Sequence, residues 1–330
     1  MPDLLTTYAQ AQPDKVAVVD DRPGGDVRSF TFAQLEDVTN RLANVLAGYG
    51  VGPGVKVVWC GQNSAGVANL VVAARKLGAT AVPLNYRLSD EEAAYVTDHS
   101  DATLVYADAE FAPLFDRVRS AIPKVRDVLV FDGAELDGQT AVDPLVAEAS
   151  SEPPEMPSAD EVAATMIYTS GTTGKPKGAL RRNALDPNQV GAMLQFIGYR
   201  LDDIYLTCGP LYHSGPGGFM GIAMAMGQTV VLQHKFDAED WLRLLQTYRT
   251  TSTFSAPTPI RMICNLPAEV KERYDRSSMR VMIANAAPWS YALKQQYVTD
   301  FPADSLFEVY GSTELGVNTV MRPEDQLRKP

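Results

Sequence analysis

Tyr168-Thr169-Ser170-Gly171-Thr172-Thr173-Gly174-Lys175-Pro176-Lys177-Gly178 brings three glycines, four Ser/Thr hydroxyls and two lysines into eleven residues. Glycines let a backbone approach phosphate oxygens closely and take positive φ, so that successive amides point inward as donors. Hydroxyls add short hydrogen bonds, and a lysine adds charge. The run therefore reads as a polyphosphate cradle. It is not a Walker A loop, because Gly171 and Gly174 are separated by only two residues and Pro176 follows Lys175. A flexible connector has a similar Gly/Ser/Thr composition. The apolar run at 162–167, which reads as a strand, and the Lys-Pro-Lys-Gly end both weigh against a connector.

Outward from this loop the chain alternates strand and helix. Upstream, 15–20, 56–60, 80–84, 102–106 and 127–131 read as strands. Thr31 and Gln34 offer a capping box for a helix with Leu35, Val38, Leu42, Val45 and Leu46 on one face, closed by Gly48 or Gly50. Helices are also expected over 64–77, ending at Gly78, from the Ser89/Glu92 capping box to about 98, and near 111–121. Downstream, strands are expected at 204–208, 228–232, 251–254, 281–284 and 306–309. Asp237 would cap a helix carrying Trp241, Leu242, Leu244, Leu245 and Tyr248. Such repetition predicts an α/β protein with mainly parallel sheets flanked by helices. The Pro/Glu/Ser-rich break at 150–160 predicts two α/β subdomains, 1–160 and 161–330.

The 330 residues suffice for real cores in both halves. A net charge of −11, from 29 basic and 40 acidic residues, opposes non-specific attraction to nucleic acid or anionic lipid. Cys60, Cys208 and Cys264 lie far apart without CxxC spacing, against a disulfide scaffold or thiolate zinc site. The N-terminus lacks a signal-peptide pattern, and apolar runs such as 67–74 are too short to span a bilayer. A soluble, cytoplasmic protein without a transmembrane segment is the expectation.

Three further segments carry chemistry. Tyr310-Gly311-Ser312-Thr313-Glu314 is expected in a loop directly after the strand at 306–309. Ligands bind at such strand ends in open α/β sheets. There Tyr310 offers a flat face to a base, Thr313 a hydroxyl to phosphate, and Glu314 a hard oxygen suited to Mg²⁺. An ordinary turn with a capping Ser or Thr is the alternative for the pentapeptide alone. In Asn285-Ala286-Ala287-Pro288 the small residues can let a purine lie against the backbone while Asn285 reads its edge; a proline-ended turn is equally compatible. His213, in Pro210-Leu211-Tyr212-His213-Ser214-Gly215-Pro216-Gly217-Gly218-Phe219-Met220, has no other histidine at metal-ligand spacing. The small residues Gly217, Gly218, Gly221 and Ala223, with the adaptable Met220, leave room for an apolar acid, although they also permit tight helix–sheet packing.

The run from Tyr168 to Gly178 resembles the signature loop of the adenylate-forming superfamily, the family of acyl-CoA synthetases, aryl-CoA ligases, luciferases and peptide-synthetase adenylation domains. The resemblance extends over essentially the whole chain and is most like a fatty-acid–CoA ligase. It implies that Thr169, Ser170, Gly171, Thr172, Thr173, Gly174 and Lys177 hold the ATP phosphates. Tyr310, Gly311, Ser312, Thr313 and Glu314 then match the segment for adenine, α-phosphate and magnesium. Asn285, Ala286, Ala287 and Pro288 flank adenine and the acyl group, and His213 borders the carboxylate and acyl pocket with Gly217, Gly218 and Met220. Lys177, Thr313, Glu314 and His213 are the implied catalytic residues, and Glu314 the metal ligand. Lys175 stands where relatives vary. Relatives carry a His-Arg-Asn group beyond the loop; here Arg181-Arg182-Asn183 departs from it in residue and spacing, and these receive no catalytic role.

The implied reaction makes an acyl-adenylate from a fatty or other apolar acid and ATP, releases pyrophosphate, and passes the acyl group to coenzyme A. An aromatic acid or a carrier-protein acceptor are variants of the same chemistry. Alternatives of another class are a non-catalytic nucleotide-binding fragment and a purely structural α/β protein. The resemblance covers the front part of the family, without its third subdomain or small C-terminal domain. Little ligase activity of the chain alone, and some self-association through bared apolar surface, are therefore expected.

Overall fold

The computed structural model describes residues 3–134, 136–155, 157–158, 164–169, 175–182, 191, 195–312 and 316–328. They fall into two units, Met1–Pro13 with Phe32–Ala184, and Asp14–Thr31 with Leu185–Pro330.

In the first unit, α1 (Leu4–Ala11) precedes α2 (Phe32–Gly48), which buries Phe32, Leu35, Leu42, Ala43 and Leu46 along one stripe. Val38 and Val45, expected on that stripe, are half-buried at its margin. Gly50 closes α2 with φ of 79°, where a side chain would be strained. The seven-stranded sheet runs β7 (Thr140–Ala141), β6 (Asp127–Phe131), β5 (Leu104–Asp108), β3 (Lys56–Cys60), β4 (Thr80–Pro83), β8 (Ala164–Thr169), β9 (Lys177–Arg182). All neighbours are parallel except β8 and β9. Ser64 caps α3 (Ala65–Lys76), accepting from the Val67 amide at 3.3 Å. Ser89 and Glu92 form the expected capping box of α4 (Asp90–His99). The helix expected near 111–121 is α5 (Ala112–Arg117) followed by a 3₁₀ turn, and α6 (Val142–Glu148) comes after β7.

The second unit holds an eight-stranded sheet. Its order is β15 (Gly316–Met321), β14 (Leu306–Ser312), β13 (Val281–Ala284), β12 (Ser252–Ser255), β10 (Ile204–Thr207), β11 (Thr229–Leu232), β1 (Val16–Asp21), β2 (Val27–Thr31). Only the terminal pairs, β14–β15 and β1–β2, are antiparallel. Among the described residues its helices include α7 (Ser214–Ala225), α8 (Ala238–Tyr248), α9 (Pro257–Cys264), α10 (Ala268–Lys271) and α11 (Tyr291–Asp300). Asp237 caps α8 as expected, accepting from the Asp240 amide at 2.9 Å. Trp241 packs edge-on to Phe301, which stacks on Tyr297 at 4.8 Å in the core.

Two features depart from the expected division at residue 160. β8 pairs with β4 (Thr80↔Ala164, Ala81↔Thr165), so the first sheet reaches past the Pro/Glu/Ser-rich stretch to β9. A buried strand needs hydrogen-bond partners on both edges, and β8 supplies them to β4. Meanwhile 14–31 leaves the first unit, because β1 aligns parallel to β11. Polar ties fix it there. Lys15 donates to the Gly227 carbonyl at 2.6 Å, and Asp21, 4% exposed, accepts both Arg243 guanidinium nitrogens at 2.9 and 3.0 Å and the Tyr248 hydroxyl at 2.8 Å.

Burial alone would push the Asp21 carboxyl up, but hydrogen bonds from Arg243 and Tyr248 outweigh it and hold the pKa below the ordinary value. A depressed folded-state pKa contributes stability that is fully present above the unfolded value of about 3.9 and is lost as pH falls through the folded one. Melting temperature should therefore fall more steeply below pH 4 in the parent protein than in Asp21→Asn. Parallel curves would exclude this ion pair as an acid-labile tie.

Among the described residues no helix is long and apolar enough to cross a membrane. The three cysteines are buried and unpaired, and burial is the leading cause that pushes each thiol up to about 12.

Candidate functional site

In the first unit, the ladder between β8 and β9 pairs Tyr168 with Gly178 and Thr169 with Lys177, fixing both stems of the loop between them. Ser170, Gly171, Thr172, Thr173 and Gly174 lie outside the described residues. Gly178 lies close against its cross-strand neighbours. A Cβ there would lie 2.3 Å from Met166 Cε and 3.1 Å from Tyr168 Cζ, so glycine leaves the Tyr168 ring its place over the ladder. The Tyr168 hydroxyl is 2.8 Å from His99 Nδ1. Burial, with Tyr95 and Asp101 nearby, raises the phenol pKa far above its ordinary value, so it stays protonated. The two lysines differ. Lys175 Nζ stands 5.0 Å from the Tyr95 ring centroid, a cation–π contact. Lys177 is exposed, and among the described residues its ammonium has no ion pair or hydrogen bond. Arg181 and Arg182 continue β9 opposite Thr165 and Ala164.

In the second unit, β10, β12, β13 and β14 are parallel neighbours, so their C-terminal ends gather at one sheet edge, where open α/β sheets bind ligands. That edge brings together the 208–213 segment after β10, Ala256 after β12, Asn285 to Pro288 after β13, and Tyr310 on β14. The strand at 306–309 does not stop there. Tyr310, Gly311 and Ser312 remain in the ladder opposite Thr319, Val317 and Gly316, because β15 folds back and supplies partners. Tyr310 is nonetheless 72% exposed, leaving a ring face open at the end of the sheet. Thr313 and Glu314 lie outside the described residues.

Asn285 donates its amide to the Ser255 carbonyl at 3.1 Å, and its side-chain carbonyl accepts from the Ala286 amide. The side chain thus builds the turn itself. Ala286 takes φ of +69°, a left-handed conformation that costs a non-glycine residue about 1–2 kcal/mol. Ala286→Gly should therefore raise urea-unfolding stability by about 0.5–1 kcal/mol after the entropy cost of glycine. A fall in the midpoint would refute strain at this position. Ala286, Ala287 and Pro288 are exposed beside Asn285.

His213 holds the N-cap position of α7 and is exposed, its ring 4.5 Å from that of Tyr212. The four expected pocket residues do not share one face. Met220 is 2% exposed and packed inward with Phe219 and Ala223. Gly217 is small for packing: a Cβ would come within 2.5 Å of the Leu211 carbonyl oxygen, and one on Gly215 within 2.3 Å of the Phe254 ring. On α7, Gly218 and Gly221 would place a Cβ in open space. Helical period explains the split, since 216, 219, 220 and 223 turn to the sheet. Sequence reasoning passed over Ser255 and Ala256. Ser255 Oγ donates to the Ala256 carbonyl at 2.8 Å, Cys208 Sγ lies 3.4 Å from it, and its own carbonyl holds Asn285. Their position at the end of an expected strand was the available signal.

Two mainly parallel sheets flanked by helices define an α/β fold. The N-terminal domain of FACL13 from Mycobacterium tuberculosis shares it with a TM-score of 0.83 at 26% identity, over 98% of this chain and 79% of that one. The chain belongs to the AMP-binding enzyme family, whose model matches residues 5–330. Among curated relatives, the indoleacetate–CoA ligase of Aromatoleum aromaticum is 29% identical over 100% of this chain and 63% of its own length. The fatty acid–[acyl-carrier-protein] ligase ScoC of Streptomyces coeruleorubidus is 26% identical over 96% of this chain and 59% of its own. The chain thus spans about 60% of the length of these relatives.

Proposed function

We propose that this chain is the nucleotide-binding part of an ATP-dependent acid–thiol ligase that forms an acyl-adenylate from a fatty or other apolar carboxylic acid and then an acyl-CoA. The observation that carries it is the loop whose stems are pinned at Thr169↔Lys177, with one lysine over an aromatic ring and the other unpartnered among the described residues. The substrate carboxylate attacks the α-phosphate and pyrophosphate leaves. In phosphoryl and adenylyl transfer the protein chiefly positions groups and stabilises charge. Lys177, the hydroxyls of Thr169, Ser170, Thr172 and Thr173, and the amides of Gly171 and Gly174 would supply that field. One preorganised donor is commonly worth ~3–4 kcal/mol.

Tyr310 would cover adenine, flanked by Gly311, Ser312 and the Asn285 to Pro288 turn, with Thr313 on the α-phosphate. His213 and Gly218 would border the acyl group. Glu314 suits Mg²⁺, which usually binds through one or two carboxylates plus substrate phosphates; bound there, it would neutralise phosphate charge. Coenzyme A would be the acyl acceptor. The relatives' names include an indole acid and a carrier-protein acceptor, which favours keeping an aryl acid or a carrier protein as the second reading.

Calorimetric titration of Mg·ATP into the chain tests the nucleotide part. Saturable binding that weakens in Glu314→Ala is expected, and absence of binding up to millimolar concentration would sink it. Non-hydrolysable acyl-adenylate analogues rank the acid. Affinity rising with alkyl length supports a fatty acid, and tighter aryl analogues support the second reading.

A further inference from the structure

We propose that Tyr95 and His99, on one face of α4, are positioning residues that clamp both stems of the phosphate loop. They lie one helical turn apart, four residues on, so their side chains project together. Their rings are 5.1 Å apart. His99 holds the incoming stem: its Nδ1 is 2.8 Å from the Tyr168 hydroxyl, and its ring meets the tyrosine ring edge-on at 5.8 Å. Tyr95 holds the outgoing stem. Its hydroxyl donates to the Pro176 carbonyl at 3.3 Å, and its ring lies under the Lys175 ammonium at 5.0 Å.

The parts around this clamp are consistent with it. Tyr168 is the residue before Thr169, and its ring passes close to Gly178, opposite it, on the way to α4. Proline at 176 has a fixed φ and no amide proton, so its carbonyl is the group left for Tyr95 to hold. The Ser89–Glu92 capping box fixes the start of α4, on which the clamp depends. With Lys175 drawn to Tyr95, Lys177 two residues on is left to face solvent. The clamp itself is a structural claim; its consequence for nucleotide affinity rests on the phosphate reading of the loop proposed above.

Amide hydrogen exchange in the intact chain separates the two. Tyr95→Ala and His99→Ala should speed exchange at the hydrogen-bonded amides of the loop end of the β8–β9 ladder about fivefold or more, the factor expected from losing one hydrogen bond, with exchange in β3 and β5 unchanged. His99→Gln, which can still hydrogen-bond Tyr168, and Tyr95→Phe, which keeps the ring under Lys175, should recover part of the protection. Stem exchange within twofold of the parent in both alanine variants overturns the clamp. Should an alanine variant fail to fold, Tyr168→Phe reports on the same hydrogen bond and is held to the same criterion. Calorimetry with Mg·ATP is then run on the same samples. Faster stem exchange with several-fold weaker ATP binding supports clamp and site together. Faster exchange in a chain whose parent binds no ATP supports the clamp and refutes the nucleotide reading.

Discussion

Glu36→Ala should destabilise the first unit by about 3–5 kcal/mol, the usual loss when one partner of a buried ion pair is removed. Lys76, 2% exposed at the end of α3, places its ammonium 2.7 Å from Glu36 Oε2 and 2.7 Å from Asn40 Oδ1, both on α2. The same carboxylate accepts from Thr6 on α1 at 2.8 Å and from Asn40 at 3.3 Å. Three helices thus converge on one carboxylate. Without it the cation stays buried with a single neutral acceptor, and desolvation of the charge is no longer offset. Truncating Lys76 as well should rescue: Glu36→Ala with Lys76→Met leaves no orphan charge and should regain much of the loss. Urea unfolding of parent, single and double variants checks both. A single-variant loss under about 1 kcal/mol, or a double variant no better than the single, would show that water reaches Lys76 after truncation.

Legibility in the sequence follows the range of the interactions. The Ser89 capping box, the Asp237 cap and the glycine stop at Gly78 are read correctly because each involves residues within a turn or two. β3 and β13 fall on their expected residues because an apolar run between breakers is a local pattern. Strand partners are a different matter. Nothing near Asp21 announces Arg243, 222 residues away, so the transfer of β1 and β2 to the second sheet was invisible. The break at 150–160 misled for the same reason, since composition marks a loop but not which sheet follows it. In the candidate site, the local sequence pattern marked the Tyr168–Gly178 loop and Tyr310 at its strand end. It could not divide Gly217, Gly218 and Met220 between a packed and an open face, which depends on Leu211 and Phe254 closing in from elsewhere. Tyr95 and His99 were beyond reach, because an aromatic and a histidine on an otherwise ordinary helix say nothing about partners 81 and 69 residues later.

Lys177→Ala should weaken Mg·ATP binding about 10- to 100-fold, whereas Lys175→Ala should weaken it only about two- to fivefold. The larger figure corresponds to a charged hydrogen bond of ~1.5–3 kcal/mol made by an ammonium with no competing partner among the described residues. The smaller one corresponds to an exposed cation–π contact of ~0.5–1 kcal/mol, whose loss acts on ATP only by loosening the outgoing stem. Both residues carry one positive charge, so a general field effect would make the variants equal. The contrast therefore isolates geometry from charge. Salt sharpens the test further: the Lys177→Ala deficit should shrink as ionic strength rises, because exposed charge interactions are screened, while the Lys175→Ala deficit should change little. Tripolyphosphate should compete with ATP in the parent and hardly at all in Lys177→Ala, since the lost contact is to phosphate rather than base. Equal deficits for the two lysines, or a larger one for Lys175, would assign the phosphates to the wrong stem and overturn the division of roles between them.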